Sequence, residues 1–457
     1  MEKMTLEETI LKLTQDKKYK ALREIMGVMN AFDLAKIFDE NIPADKRPVL
    51  FRLLPKELAA DVFVELEDDV KEQLIKSFSD SELAAVIDEL YVDDAADLAE
   101  EMPANVVKRI LRHASPDMRK MINEILRYPD DSAGSIMNTE YISLRATMSV
   151  EHAISHIRKT GFDKETINTL YVTDKERRLI GVVSIRDLLF SDSAQVIEDV
   201  MDTHGIISVN TLDDKENVAL SFEKYDLTEL PVTDKEERLV GIVTVDDAID
   251  VLQEEATEDI EKMAAITPSD KPYLKTTAGE TFAKRIPWLL LLMISATFTG
   301  IIISQFESSL GALPILTAFI PMLMDTGGNS GSQASVTVIR GISLGDIEFR
   351  DTLRVIFKEL RVALMCGLVL ALATFAKVFL IDKLIMGKDI TLTIALVVSL
   401  TLLVTVVIAK LVGCSLPLLA KKVCFDPAVM ASPFITTIVD AFSLLIYFGF
   451  ANMLLGL

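Results

Sequence analysis

Cysteine and histidine are scarce here, three and four in 457 residues. Cys366, Cys414 and Cys424 follow no zinc spacing and fall in or near apolar segments, so they read as small packing residues, not disulfides or ligands. His113, His152, His156 and His204 are dispersed over the first half of the chain. His152 and His156 are i, i+4 on an expected helix, which a solvated face explains. No imidazole or thiolate cluster points to a soft metal. Positive charge is also in deficit: 47 Lys and Arg against 69 Asp and Glu leave a net charge of −22. That balance argues against a nucleic-acid partner, which needs a basic footprint. The first residues, MEKMTLEETI, lack a basic n-region and an apolar h-region, so no signal peptide is expected. No nucleophile with a matching base and no phosphate loop is visible, so no enzymatic activity is expected.

What the chain does have is unevenly distributed. Residues 286–457 hold 11 Lys and Arg against 10 Asp and Glu, so residues 1–285 carry −23. An acidic half therefore precedes a near-neutral apolar half, and the length predicts several domains. Acidity of this kind collects cations or serves solubility, and composition does not separate the two.

Residues 1–128 show helical periodicity, with apolar positions such as Leu83, Val86, Ile87 and Leu90 and short breaks at Pro55 and Pro103. A repeat follows. Leu170-Tyr171-Val172-Thr173-Asp174 and Arg178 to Asp187 recur 60 positions later as Leu230-Pro231-Val232-Thr233-Asp234 and Arg238 to Asp247. Each copy reads as strand, polar turn, strand, helix. This resembles a tandem cystathionine-β-synthase (CBS) pair, with one motif at 129–200 and the other at 201–251. Such pairs are regulatory and often bind adenosine nucleotides or metal, which makes ATP a candidate ligand. A long acidic helical stretch runs from Asp246 to about Ile266 and stops before Pro268, leading from the second motif into a plug or connecting helix region at 252–284. From 285 to the C-terminus the chain reads as membrane, with expected spans at 286–305, 313–339, 362–381, 390–412 and 430–455. Arg340, Arg350, Arg354, Lys358, Arg361, Lys410, Lys421 and Lys422 fall on the side that Lys284 and Arg285 also mark. The basic side is the inner one, so the acidic half is expected in the cytosol of a plasma-membrane protein and the C-terminus outside. The fold class is thus multi-domain: an all-α N-terminal helical domain, an α/β tandem CBS pair and an α-helical membrane domain with five transmembrane helices.

Asp440 lies in the middle of the fifth expected span, which contains no Lys or Arg to pair with it. An ionisable group at that depth usually faces a cavity or a partner. Pro433, Thr437, Asp440, Ser443 and Tyr447 follow helical steps, so they are expected to form one stripe along a water-filled path. The alternative is a neutral Asp bonded to a neighbouring helix. In the second span, the run from Asp325 to Gln333 supplies neutral oxygens (Asn329, Ser332, Gln333) and glycines, which suit a cavity lining, a packing seam, or both. Magnesium sheds water reluctantly and prefers a few carboxylates plus its own waters, a demand that one carboxylate per subunit meets.

The whole chain resembles the MgtE family of magnesium channels. Gly328-Asn329-Ser330-Gly331-Ser332-Gln333 is similar to the family's Gly-Asn-x-Gly-x-Gln signature. Pro433, Thr437, Asp440 and Tyr447 resemble its fifth-span motif, and Glu255-Ala256-Thr257-Glu258-Asp259 its plug-helix motif. The resemblance implies a homodimer in the lipid bilayer with a pore on the two-fold axis. Asp440 would be its selectivity carboxylate, assisted by Asn329. It also implies regulatory magnesium at Asp93, Asp97, Asp214, Glu216, Asp226, Asp247, Asp250, Glu255, Glu258 and Asp259, with Asp426 facing the plug. Bound ions would lock the pore shut when cytosolic magnesium is plentiful. The rival readings are a CBS-regulated secondary transporter or exchanger for another divalent cation, and a membrane-bound sensor.

Overall fold

The computed structural model describes residues 5–456 except 163, 270, 272, 424 and 431, and leaves aside the side chains of 308, 309 and 432; Cys424 is therefore outside the described residues. The chain divides into two compact units, Met1–Leu252 and Gln253–Leu457.

The first unit begins with a stack of short helices, from α1 (Leu6–Gln15) to the tenth, α10 (Pro116–Ile125), and including α8 (Val92–Glu101). The helices form because apolar residues recur at three and four residue steps. Leu83, Ile87 and Leu90 are buried as that pattern requires. Thr5 with Glu8, and Ser79 with Glu82, close capping boxes that satisfy backbone N–H groups at helix starts. Phe38, Phe51, Phe63 and Phe78 meet ring to ring at 5.4–6.4 Å in the core.

Two similar α/β motifs follow. The first contains β1 (Ser143–Arg145), α11 (Val150–Thr160), β2 (Thr169–Thr173), β3 (Leu179–Ser184), α12 (Ile185–Phe190) and the short α13 (Ile197–Val200). The second contains β4 (Val209–Asn210), α14 (Lys215–Tyr225), β5 (Glu229–Thr233), β6 (Leu239–Thr244) and the start of α15 (Val245–Met263). In each, the first strand pairs parallel to the second and the second antiparallel to the third. The repeat extends to register: Leu170 faces Val183 and Leu230 faces Val243. A bulge interrupts each pair, at Val172/Thr173 and Val232/Thr233. His152 and His156 lie on α11, as expected.

The second unit is helical. It comprises the end of α15, then α16 (Ala278–Gln305), α17 (Glu307–Ala312), a 3-10 turn at Pro314–Phe319 and α18 (Ile320–Ser343). After these come α19 (Thr352–Lys377) with a π-helical extension at Val378–Ile385, α20 (Leu392–Lys422) and α21 (Ser432–Leu455). Among the described residues four segments are long and apolar enough to cross a membrane: Ala278–Gln305, Phe349–Ile385, Leu392–Lys422 and Pro427–Leu455. The expected second span is not among them. Its helix, α18, has 24 residues and so reaches ~36 Å, but the polar run from Asp325 to Gln333 lowers its hydropathy. That run does not break the helix.

Its glycines explain why. A Cβ on Gly413 of α20 would collide with the carbonyl oxygen of Gly331, so the two helices cross backbone to backbone. Gly327 meets Thr405 of α20 and Val439 and Ser443 of α21, and Gly328 meets Thr436. Small residues here replace the hydrophobic drive that lipid cannot supply.

Candidate functional site

The first unit brings distant carboxylates together. Asp93 and Asp94 enter on the first turn of α8. Asp247 sits in the first turn of α15, where it accepts a 2.6 Å hydrogen bond from the Thr244 hydroxyl. Glu165 comes from the loop after α11. Asn138, fully buried, links two of these groups: its Nδ2 donates to Asp93 at 3.2 Å and to Glu165 at 3.0 Å. Its backbone is pinned to Ile242 of β6 by bonds of 2.7 and 2.8 Å.

Such crowding makes ionisation costly. Burial, then the charges of Asp94, Asp247 and Glu165, holds Asp93 well above the ordinary carboxylate range. Burial followed by the Asp247 charge pushes Asp94 up to about 6. Lost hydration and the charges of Glu101, Asp94 and Asp247 push Asp97 to about 7, although its outer edge is exposed. Burial and the charges of Asp247 and Asp246 take Glu165 to about 8. Burial raises Asp247 to about 6 against the hydrogen bonding of Thr244, and burial with the Asp246 charge raises Asp250, on the exposed side of α15. The cluster is a concentration of negative charge that protons or cations relieve. Among the described residues, however, no group of three or more His, Cys, Asp and Glu is arranged to hold a metal ion.

Asp93, Asp97, Asp247 and Asp250 thus belong to one region. Asp214 and Glu216 stand together at the start of α14, apart from Asp226 at its end. Asp214 caps α14 by accepting from the N–H groups of Glu216 and Asn217, at 3.0 and 3.3 Å. Asp226 ends the same helix in the left-handed region at φ 52°. The 11 residues of α14 keep its two ends ~16 Å apart, so Asp226 lies out of reach of an ion held at Asp214 or Glu216 of the same chain.

In the second unit, Glu258 and Asp426 do meet, through a lysine. The Lys262 ammonium lies 2.6 Å from each. Burial works against its charge, but the hydrogen bonds it donates to Asp426 and Glu258 outweigh that and hold its pKa above the ordinary lysine value. Asp259 accepts a 2.8 Å bond from Ser343 of α18, while burial and the Asp426 charge raise its pKa. Glu255 lies on the same helix, α15. A tethered cation therefore already occupies the centre of this carboxylate group.

Asp440 is half-buried in α21 and feels the charge of Asp325 in α18. The expected stripe beside it is only partly open. Ser443 is buried, donates to the Val439 carbonyl and packs on Gly327; Tyr447 is fully buried and donates to the carbonyl of Leu316 at 3.0 Å. These two are packing groups, because α21 turns that side into α18 and the 3-10 turn. Asp325, Asn329 and Gln333, four residues apart, form an exposed polar row on α18. Asn329 lines a cavity of about 590 Å³ with Thr326, Ser330, Gln333, residues of α19 and Lys410 of α20. The glycines of the second-span motif thus make the seam, and its amide and hydroxyl groups face open space.

Glu165, Asn138 and Asp325 were not singled out from sequence. Asp325 carried a signal, a carboxylate inside an expected span. Glu165 and Asn138 carried none, since their roles depend on contacts with residues far along the chain.

Comparison with known proteins follows the same division. The profile of the MgtE divalent cation transporter family matches residues 320–450, that of the MgtE intracellular N domain residues 29–131, and that of the CBS domain residues 133–193 and 197–254. A magnesium transporter of Thermus thermophilus is 36% identical, over 95% of each chain. One from Bacillus subtilis is 32% identical over 99% of this chain and 98% of its own. The crystal structure of the cytosolic domain of a Mg2+ channel in complex with ATP is 35% identical and aligns with a TM-score of 0.51 over 54% of this chain and all of its own. On near full-length identity above 30%, this chain belongs to the MgtE family of divalent cation transporters.

Proposed function

We propose that this protein carries magnesium across the plasma membrane and that its acidic half, in the cytosol, senses the same ion. The observation that carries the reading is Asp440, half-buried in an apolar helix beside the polar row of α18. A membrane helix cannot present Asp325, Asn329 and Gln333 to lipid. A second copy covering that row would form a homodimer and enclose a path in which Asp440 and Asn329 hold a hydrated ion by its waters. Regulatory magnesium would bind at Asp93, Asp97 and Asp247 with Asp250. Further contributions would come from Glu255, Glu258, Asp259 and Asp426, and from Asp214, Glu216 and Asp226 wherever other groups complete their shells. Neutralising these clusters favours a closed state; magnesium depletion restores the repulsion and opens the path. ATP is a ligand of the CBS pair on this reading, by likeness to the ATP-bound cytosolic domain of a relative. On the same reading the basic loops face the cytosol and the C-terminus lies outside.

The test is magnesium uptake into proteoliposomes by wild type and Asp440→Ala. Uptake by wild type and its loss in a variant that keeps the same size and thermal transition is the expected result. Equal uptake by both would remove Asp440 from the ion path.

A further inference from the structure

One charged pair in the membrane unit has no part in the function just described. Glu359 of α19 and Lys410 of α20 are 9% and 4% exposed, and their charged atoms are 3.9 Å apart. That distance makes an ion pair but is too long for a direct hydrogen bond. Ionisable groups inside a helical membrane bundle are costly and mark function by default. Apolar side chains would fasten α19 to α20 at least as well. Lys410 also forms part of the wall of the 590 Å³ cavity into which Thr326, Asn329 and Gln333 present neutral oxygens. Among the described residues of that wall it is the one charged group.

We propose that Lys410 is a positioning residue that sets how firmly the transported ion is held: its ammonium, fixed at the cavity wall by Glu359, prevents a divalent cation from settling against Asn329 and Gln333. The inference rests on the transport reading above. Passage requires sites that an ion enters readily and also leaves. One wall of this cavity is the apolar side of α19 (Met365, Cys366, Val369 and Leu370), and the amide and hydroxyl groups of α18 opposite it, without a positive charge nearby, would retain a partly dehydrated divalent ion. A fixed positive charge acts on an ion in proportion to its valence, so it weakens the hold on magnesium twice as much as on sodium. Glu359 has the opposite sign and moderates the effect. Removing each partner should therefore shift the apparent affinity in opposite directions, whereas a pair that only fastens two helices gives the same direction for both.

The experiment measures magnesium uptake against concentration in proteoliposomes of the full chain: wild type, Lys410→Met, Lys410→Arg and Glu359→Gln. Lys410→Met should lower the half-saturating magnesium concentration roughly tenfold, the scale of removing a unit charge a few ångströms from the ion, and lower the maximal rate. Glu359→Gln should raise the half-saturating concentration, and Lys410→Arg should keep the wild-type value. Shifts in the same direction for Lys410→Met and Glu359→Gln, or no shift in either, overturn the proposal. If Lys410→Met does not fold, an unchanged or lowered half-saturating concentration in Glu359→Gln overturns it alone. Wild-type vesicles that take up no magnesium sink the transport reading itself; uptake with wild-type behaviour in all variants sinks only the role of Lys410.

Discussion

Replacing Asp94 by Asn should stabilise the first unit at neutral pH in the absence of divalent cations. The carboxyl titrates at about 6 in the folded chain against an ordinary 3.8. Because the folded pKa is raised, the folded state keeps the proton to higher pH than the unfolded state does. The stability contributed by that proton is fully present below pH ~4 and is lost as pH rises through about 6. At pH 7.5 the charged group is thus a net burden. Two pKa units at ~1.4 kcal/mol each give a ceiling of about 3 kcal/mol, and screening and coupled titration of its neighbours reduce this to about 1–2 kcal/mol. For a unit of this size that is roughly 2–8 °C in Tm. The assay is thermal unfolding of the full-length protein in a chelator at pH 5 and pH 7.5. The variant should be the more stable at pH 7.5, with a clearly smaller advantage at pH 5. Millimolar magnesium should raise the wild-type transition more than that of the variant. An Asp94→Asn transition below wild type at pH 7.5, or an advantage independent of pH, would refute the reasoning.

Two other predictions concern the second unit. Gly413→Ala forces a methyl against the Gly331 carbonyl, so it should part α18 from α20, cost about 2 kcal/mol or more and lower the aggregation temperature in detergent; an unchanged transition would show that the helices shift without penalty. Lys262→Met leaves Glu258 and Asp426 without their shared ammonium, so proteolysis of the segment near Pro268 should speed up in a chelator and slow again on adding magnesium; cleavage at the wild-type rate would show that the lysine does not hold the group together.

The repeat in the sequence carried the CBS pair down to the positions of its second and third strands, because β-branched runs around a polar turn force that register. Its short parallel strands, β1 and β4, escaped notice: three and two residues are too few for a periodicity. The amphipathic N-terminal helices were legible for the opposite reason. In the membrane half, four segments among the described residues have the length and hydropathy of a span; α18, expected as the second of five, falls short because its polar run lowers its hydropathy. Of the candidate site, Asp440 and the carboxylates of α8 and α15 were visible because charge in a span or in a helical cluster is locally anomalous. Glu165, Asn138 and the Glu359 to Lys410 pair were not, since a side chain's partner across tens of residues leaves no local mark. The stripe on α21 was half right: helical spacing defines a face but not which end of it packs.

The crossing of Gly331 and Gly413 limits the ways in which this membrane unit can change shape. Two backbones in contact have no side chains between them to re-rotamerise, so α18 and α20 can neither slide by a turn nor twist past one another without first separating. With α21 set against Gly327 and Gly328, these three helices form a chassis. Adjustment falls instead to α16, where no residue is buried. Spin labels on the ends of α18 and α20 should therefore report a single distance at any magnesium concentration, while a label on α16 is the one positioned to register a change.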